Sequence, residues 1–127
     1  MPHYEKQAIT ATIATTSVTV FSRVVNGDIV AIVYDGGYTD ETVDIAVTSE
    51  DTGVEILTMA SIGASAVTFM PKMAGHAAAD GAAITAAQME NSPPVAGERV
   101  KLVLSSGTDT ESAVFTIIVA GTISPDV

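Results

Sequence analysis

Apolar and polar residues alternate with period two along most of this chain, the pattern of strands that bury one face. Ile9, Ala11 and Ile13 alternate with Thr10 and Thr12, and after Thr15-Thr16-Ser17 the alternation resumes at Val18 and Val20 in the opposite phase. Such a phase change predicts either a bulge or two strands that pass from one sheet to the other. Asn26-Gly27 reads as a turn, and the run Ile29 to Tyr34 after it as a strand buried on both faces. Asp35-Gly36-Gly37 ends that run. Val43, Ile45 and Val47 mark a half-exposed strand, Val54 to Met59 another, and Ala66 to Met70 a third that Pro71 terminates. The last third predicts a hairpin from Arg99 to Val119, with Leu102, Leu104, Phe115 and Ile117 buried and Ser105 to Asp109 as its turn.

Between Met73 and Gly97 the alternation fades into an Ala- and Gly-rich segment containing Pro93-Pro94. This stretch reads as a long loop, with either a short helix around Ala82 to Met89 or a weak edge strand near Ile84. Long connections in compact domains serve as binding loops or as crossovers between sheets. The expected fold is all-β, a sandwich of seven to eight strands of immunoglobulin-like or jelly-roll type. It would occupy residues 7–123 as a single domain, preceded by an N-terminal arm at 1–6 and interrupted by the loop at 73–97.

Composition sharpens this picture. The chain is 47% hydrophobic but only 5% aromatic and 16% charged, so its apolar content lies in Val, Ile and Ala, which favours strands. With 127 residues and a mean hydropathy of +0.41, one sandwich hides only part of that surface, which points to contacts with other protein surfaces. Five basic against fifteen acidic residues give a net charge of -10, a field that repels phosphate backbones and anionic membranes. Neither nucleic acid nor membrane is an expected partner. Arg99 and Lys101 are expected to share a solvated or ion-paired strand face. The absence of cysteine removes disulfides and Cys-based zinc sites from consideration. Residues 1–6 show no apolar core of a secretory signal, and no run is long enough for a spanning helix.

Candidate chemistry is sparse. Asp35, Asp40, Glu41 and Asp44 gather hard oxygen ligands around a glycine-bearing loop, but their spacing is not that of an EF-hand, and a solvated turn is the expected state. His76 stands four residues before Asp80, and His3 lies in the arm; neither belongs to a nucleophile motif. Phe21, Phe69, Phe115 and Met59 read as core, while Tyr38 is placed to serve as an exposed contact in its loop. The poverty of aromatics argues against a sugar cleft. No phosphate-cradling glycine motif occurs. No catalytic residue, cofactor or metal is expected, and the chain reads as a non-enzyme.

Three runs carry a resemblance: Ala66-Val67-Thr68-Phe69-Met70-Pro71-Lys72, the stretch Pro94-Val95-Ala96-Gly97-Glu98-Arg99-Val100-Lys101-Leu102-Val103, and Ala113-Val114-Phe115-Thr116-Ile117. Across residues 9–120 the pattern resembles the small β-sandwich head decoration, or cement, proteins of tailed bacteriophages. The resemblance implies a structural virion protein, made in the host cytoplasm, that binds the major capsid protein on the outer shell and associates as a homotrimer. The alternative is a receptor- or carbohydrate-binding sandwich of a tail or surface structure, with the loop from Asp35 to Asp44 as its site. The segments outside the strand pattern supply the expected interface: Met1, Pro2, His3 and Tyr4 from the arm, and Met73, Met89, Pro93 and Pro94 from the loop.

Overall fold

The computed structural model describes residues 3–74 and 90–125, with the backbone alone at 73–74 and 90–91. The elements are β1 (Tyr4–Thr12), β2 (Val18–Tyr34), β3 (Asp44–Ser49), β4 (Glu55–Met59), β5 (Val67–Phe69), β6 (Met73–Ala74), β7 (Glu90–Asn91), β8 (Pro94–Ser105) and β9 (Ser112–Ile123). The all-β expectation holds. Seven strands form one antiparallel sheet in the order β1-β9-β2-β8-β3-β4, with β5 also pairing β2, and β6 and β7 form a separate two-residue ladder. No helix among the described residues is long and apolar enough to cross a membrane.

β2 makes this sheet sandwich-like. Its first half, from Val18, pairs with β8, and its second half, to Tyr34, pairs with β9. One long strand therefore belongs to two layers. The first layer is β5, the second half of β2, β9 and β1; the second is the first half of β2, β8, β3 and β4. The phase change after Ile13 marks the passage between them, since β1 pairs with β9 in the first layer and β2 begins beside β8 in the second. Inward side chains from both layers, among them Ile9, Ile32, Phe115, Ile117, Ile45 and Leu102, form one core.

Two expectations fail at this crossing. Asn26-Gly27 lies inside β2 and makes no turn; at Val25 to Asp28 the strand is flanked by β8 on one side and β9 on the other. Gly27 stands opposite Gly121, each at positive φ (147° and 149°). A Cβ on Gly27 would overlap the Ala120 carbonyl oxygen, and one on Gly121 would overlap that of Asn26. The glycine here permits close approach of two backbones, the other common reason for glycine within a strand. The second failure is the hairpin. Leu102, Leu104, Phe115 and Ile117 are fully buried, but β8 and β9 do not pair with each other. They flank β2 from opposite sides, and residues 106–111 carry the chain from one layer to the other.

Smaller differences share a cause. Tyr4 to Lys6, expected as part of an N-terminal arm outside the sandwich, begin β1 and pair with Ala120 to Ile118. Pro94 to Gly97, expected as loop, begin β8; the segment 75–89, including the helix or strand expected around Ala82 to Met89, lies outside the described residues. The run Ile29 to Tyr34 is buried on one face only, with Val30, Ala31 and Val33 half-exposed. Met59 is 40% exposed because β4 ends the sheet. Phe21 is half-exposed on the outer face of the second layer, where the Arg99 guanidinium stacks on its ring at 4.2 Å. Arg99 also pairs with Glu50, so the basic strand face is ion-paired as expected.

Candidate functional site

The loop from Asp35 to Asp44 closes one end of the sandwich, and its geometry follows from two carboxylates. Asp40 Oδ1 accepts the backbone N–H of Thr42 at 2.9 Å and the Thr42 hydroxyl at 2.6 Å, while its Oδ2 accepts the Thr108 hydroxyl at 2.8 Å. Glu111 reaches the same loop from the entrance of β9, accepting the Thr39 N–H at 2.7 Å and hydroxyl at 2.6 Å and the Asp40 N–H at 3.3 Å. These bonds hold both carboxyls below the ordinary carboxylate range, through the Thr42 hydroxyl at Asp40 and the Thr39 hydroxyl at Glu111. Asp35 accepts the Gly37 N–H, and Asp44, at the start of β3, accepts the Ser61 N–H. Asp35, Asp40, Asp44 and Glu111 each bind the chain's own backbone, whereas Glu41 is exposed, so the loop is a hydrogen-bonded end cap. Among the described residues, no three His or acidic side chains converge on a point that would hold a metal ion.

Tyr38 is the correction within this loop. It is fully buried, and its hydroxyl donates to the Ala11 carbonyl at 2.8 Å. Tyr34 stacks on Phe115 with ring centroids 5.1 Å apart, and its hydroxyl donates to Gly63 while accepting the Tyr38 N–H. Burial raises the ionisation of both phenols above the ordinary range, Tyr38 the more strongly. The proposed exposed contact is a core residue that ties β1 to the loop.

A second carboxylate cap lies on the turn between β3 and β4. Glu98, nearly buried, accepts the Asp51 N–H at 2.7 Å, the Thr52 N–H at 3.0 Å and the Thr52 hydroxyl at 3.0 Å. The Thr52 amide is the main reason its carboxyl lies below the ordinary range. Neither Glu98 nor Glu111 was among the expected functional residues. A signal was present, however: Glu98 shares the inward phase of Val100, Leu102 and Leu104, and Glu111 that of Ala113 and Phe115. An acid in an inward phase needs partners.

Of the expected interface residues, His3 and Tyr4 are exposed, with His3 Nε2 2.8 Å from Glu5. Pro93 is buried and its carbonyl accepts the Ile29 N–H, whereas Pro94 is exposed. Met1, Pro2, Met89, His76 and Asp80 lie outside the described residues; Met73 is placed by its backbone, opposite Asn91. Register brings Tyr4 and Pro94 into one row, since Tyr4 pairs with Ala120, Ala120 with Asp28, and Asp28 with Pro94.

The β4 edge carries a groove of mixed polar and apolar lining, from Glu55 and Thr58 to Ile56 and Leu57. It is open, about 630 Å³ in volume, and bounded by Met70, Pro71 and Lys72. Met59 and Val67 are exposed at β4 and β5, and Met70 is 66% exposed. No known protein family matches the chain, and no curated protein does.

Proposed function

We propose that this chain is a structural virion protein, a decoration or cement subunit that binds the outside of a phage capsid shell and stabilises it. The observation that carries the reading is the contrast between its polar and apolar groups. The carboxylates Asp40, Glu98 and Glu111 bind the protein's own turns, while Met70 stands exposed in the β4 groove and Met59 and Val67 are exposed on β4 and β5. Large exposed apolar side chains near a strand edge that has no partner among the described residues favour contact with another protein. Such a surface suits the capsid protein better than nucleic acid, which the charge of -10 disfavours. The alternative reading as a glycan-binding module loses support, since Tyr38 is buried and Asp35, Asp40 and Asp44 are committed to backbone amides.

The test is binding to purified capsids that lack the protein, followed by sedimentation of the particles and mass spectrometry of what they carry. Saturable binding that raises the temperature of shell disruption is expected. Met70→Glu, on a side chain outside the core, is expected to weaken binding about tenfold or more while leaving the fold intact. Absence of the chain from mature heads, together with no binding to shells, would overturn the reading.

A further inference from the structure

The outer faces of the two layers differ in chemistry. On the second layer, Arg99 of β8 pairs with Glu50, Lys101 lies beside Thr48 of β3, and Asp44 stands farther along, beside Ser105. On the first layer, the outward positions of the central strands are Ala31 and Val33 of β2 and Val114, Thr116 and Ile118 of β9, all half-exposed, with Ala8 beside Thr116 on β1. Among the described strand residues on this face, only Lys6 and Asp28 are charged. In a chain with fifteen acids, that neutral sheet surface stands out. Central strands that leave Val and Ile outward normally lie against a second layer.

We infer that this face packs against the same face of a second copy, in a two-fold dimer whose axis runs along β9. The charge distribution selects the occupant. Two chains of charge -10 repel each other, least where few charges meet, and contact through this face keeps that penalty low. Asp35, exposed just past the end of β2 beside Val114, lies at the margin of this face, and the two strand charges on it are self-complementary. Lys6 pairs with Ile118 from one side of β9, and Ala31 pairs with Ile118 from the other; Asp28 and Tyr4 flank Ala120 in the same way, one inward-outward repeat along. A two-fold axis along β9 exchanges the β1 side for the β2 side. It sets Lys6 of each copy above Ala31 of the other, about 7 Å along the strand from Asp28, a gap that a lysine side chain spans. A face of opposite layout, with both charges on one side of β9, would not have this property. The contact is separate from the β4 groove, so a dimer formed here leaves that groove free.

Multi-angle light scattering of the full chain over a dilution series tests the dimer without any capsid. A concentration-dependent dimer is expected, shifted to monomer by Ile118→Glu. Lys6→Glu and Asp28→Lys are each expected to weaken dimerisation about tenfold, and the double exchange Lys6→Glu with Asp28→Lys to restore it. Melting curves matching the wild-type monomer establish that each variant is folded. Should Ile118→Glu not fold, Thr116→Lys, at a half-exposed polar position, takes its place. A monomer at every concentration, a trimer, or a dimer that ignores both the Ile118 change and the charge exchange would overturn the arrangement. Any of these leaves the capsid-binding reading standing, since that is read from particles.

Discussion

At the scale of single residues, the recurring device is a polar side chain in the inward phase at a strand end, turned onto backbone amides that the ladder leaves open. Glu98 and Glu111 do this for the two end caps. Glu5 and Gln7, in the inward phase of Ile9, accept the N–H groups of Ile123 at 2.7 Å and Arg23 at 2.9 Å. Buried amides need acceptors, and a strand end offers the room to supply one. The aromatic contacts are equally specific. Phe115→Ala should destabilise the fold by about 3–5 kcal/mol, measured by denaturant unfolding, because it empties a fully buried site against Tyr34 and Tyr38. Tyr38→Phe should cost about 1–3 kcal/mol, since the Ala11 carbonyl loses its hydroxyl donor without access to water. Because Asp35, Asp40 and Asp44 are held by backbone amides, EDTA should leave the melting temperature unchanged; a fall of several degrees would reveal a metal site in that loop.

At the scale of elements, β2 decides the architecture. Seventeen residues long, it reaches from beside β8 to beside β9, and the Gly27–Gly121 pair lets three strands meet at the crossing. Alanine at either glycine should destabilise more than a surface change does, by about 2 kcal/mol or more, because the added methyl meets a carbonyl oxygen and the backbone is in a region that L-residues avoid. Asn26→Ala, one residue away on an exposed side chain, is the control and should change stability by less than about 0.5 kcal/mol. Equal effects from the two changes would mean that the crossing is looser than its contacts indicate.

At the scale of the molecule, the carboxylate bonds set the response to pH. Glu5, Asp40, Glu50, Glu98 and Glu111 all have folded values below the ordinary range, with the first cause at Glu5 being His3 and at Glu50 being Arg99. A lowered folded value means that the stabilisation is fully present above the unfolded carboxylate values, near 4, and is lost as pH falls through the folded ones. The melting temperature should therefore be flat from neutral pH down to about 5 and fall steeply below about 4. A decline already complete at pH 6 would point to groups other than these five.

The alternation of residues was enough to determine an all-β chain, the positions of most strands and the burial of Leu102, Leu104, Phe115 and Ile117, and it narrowed the break after Ile13 to a bulge or a passage between layers. These follow from a two-residue repeat that each strand carries within itself. Pairing between strands is not local, and here the tertiary structure alone decided. β8 and β9 looked like neighbours because one follows the other, yet β2 lies between them, and Asn26-Gly27 looked like a turn because glycine serves turns and close strand contacts alike. The same holds for Tyr38, whose loop position concealed that Ala11, twenty-seven residues earlier, supplies the acceptor for its hydroxyl. Which face remains neutral was also undecidable from the alternation, because Lys6, Asp28 and Ile118 share a surface only once β1, β2 and β9 are placed side by side.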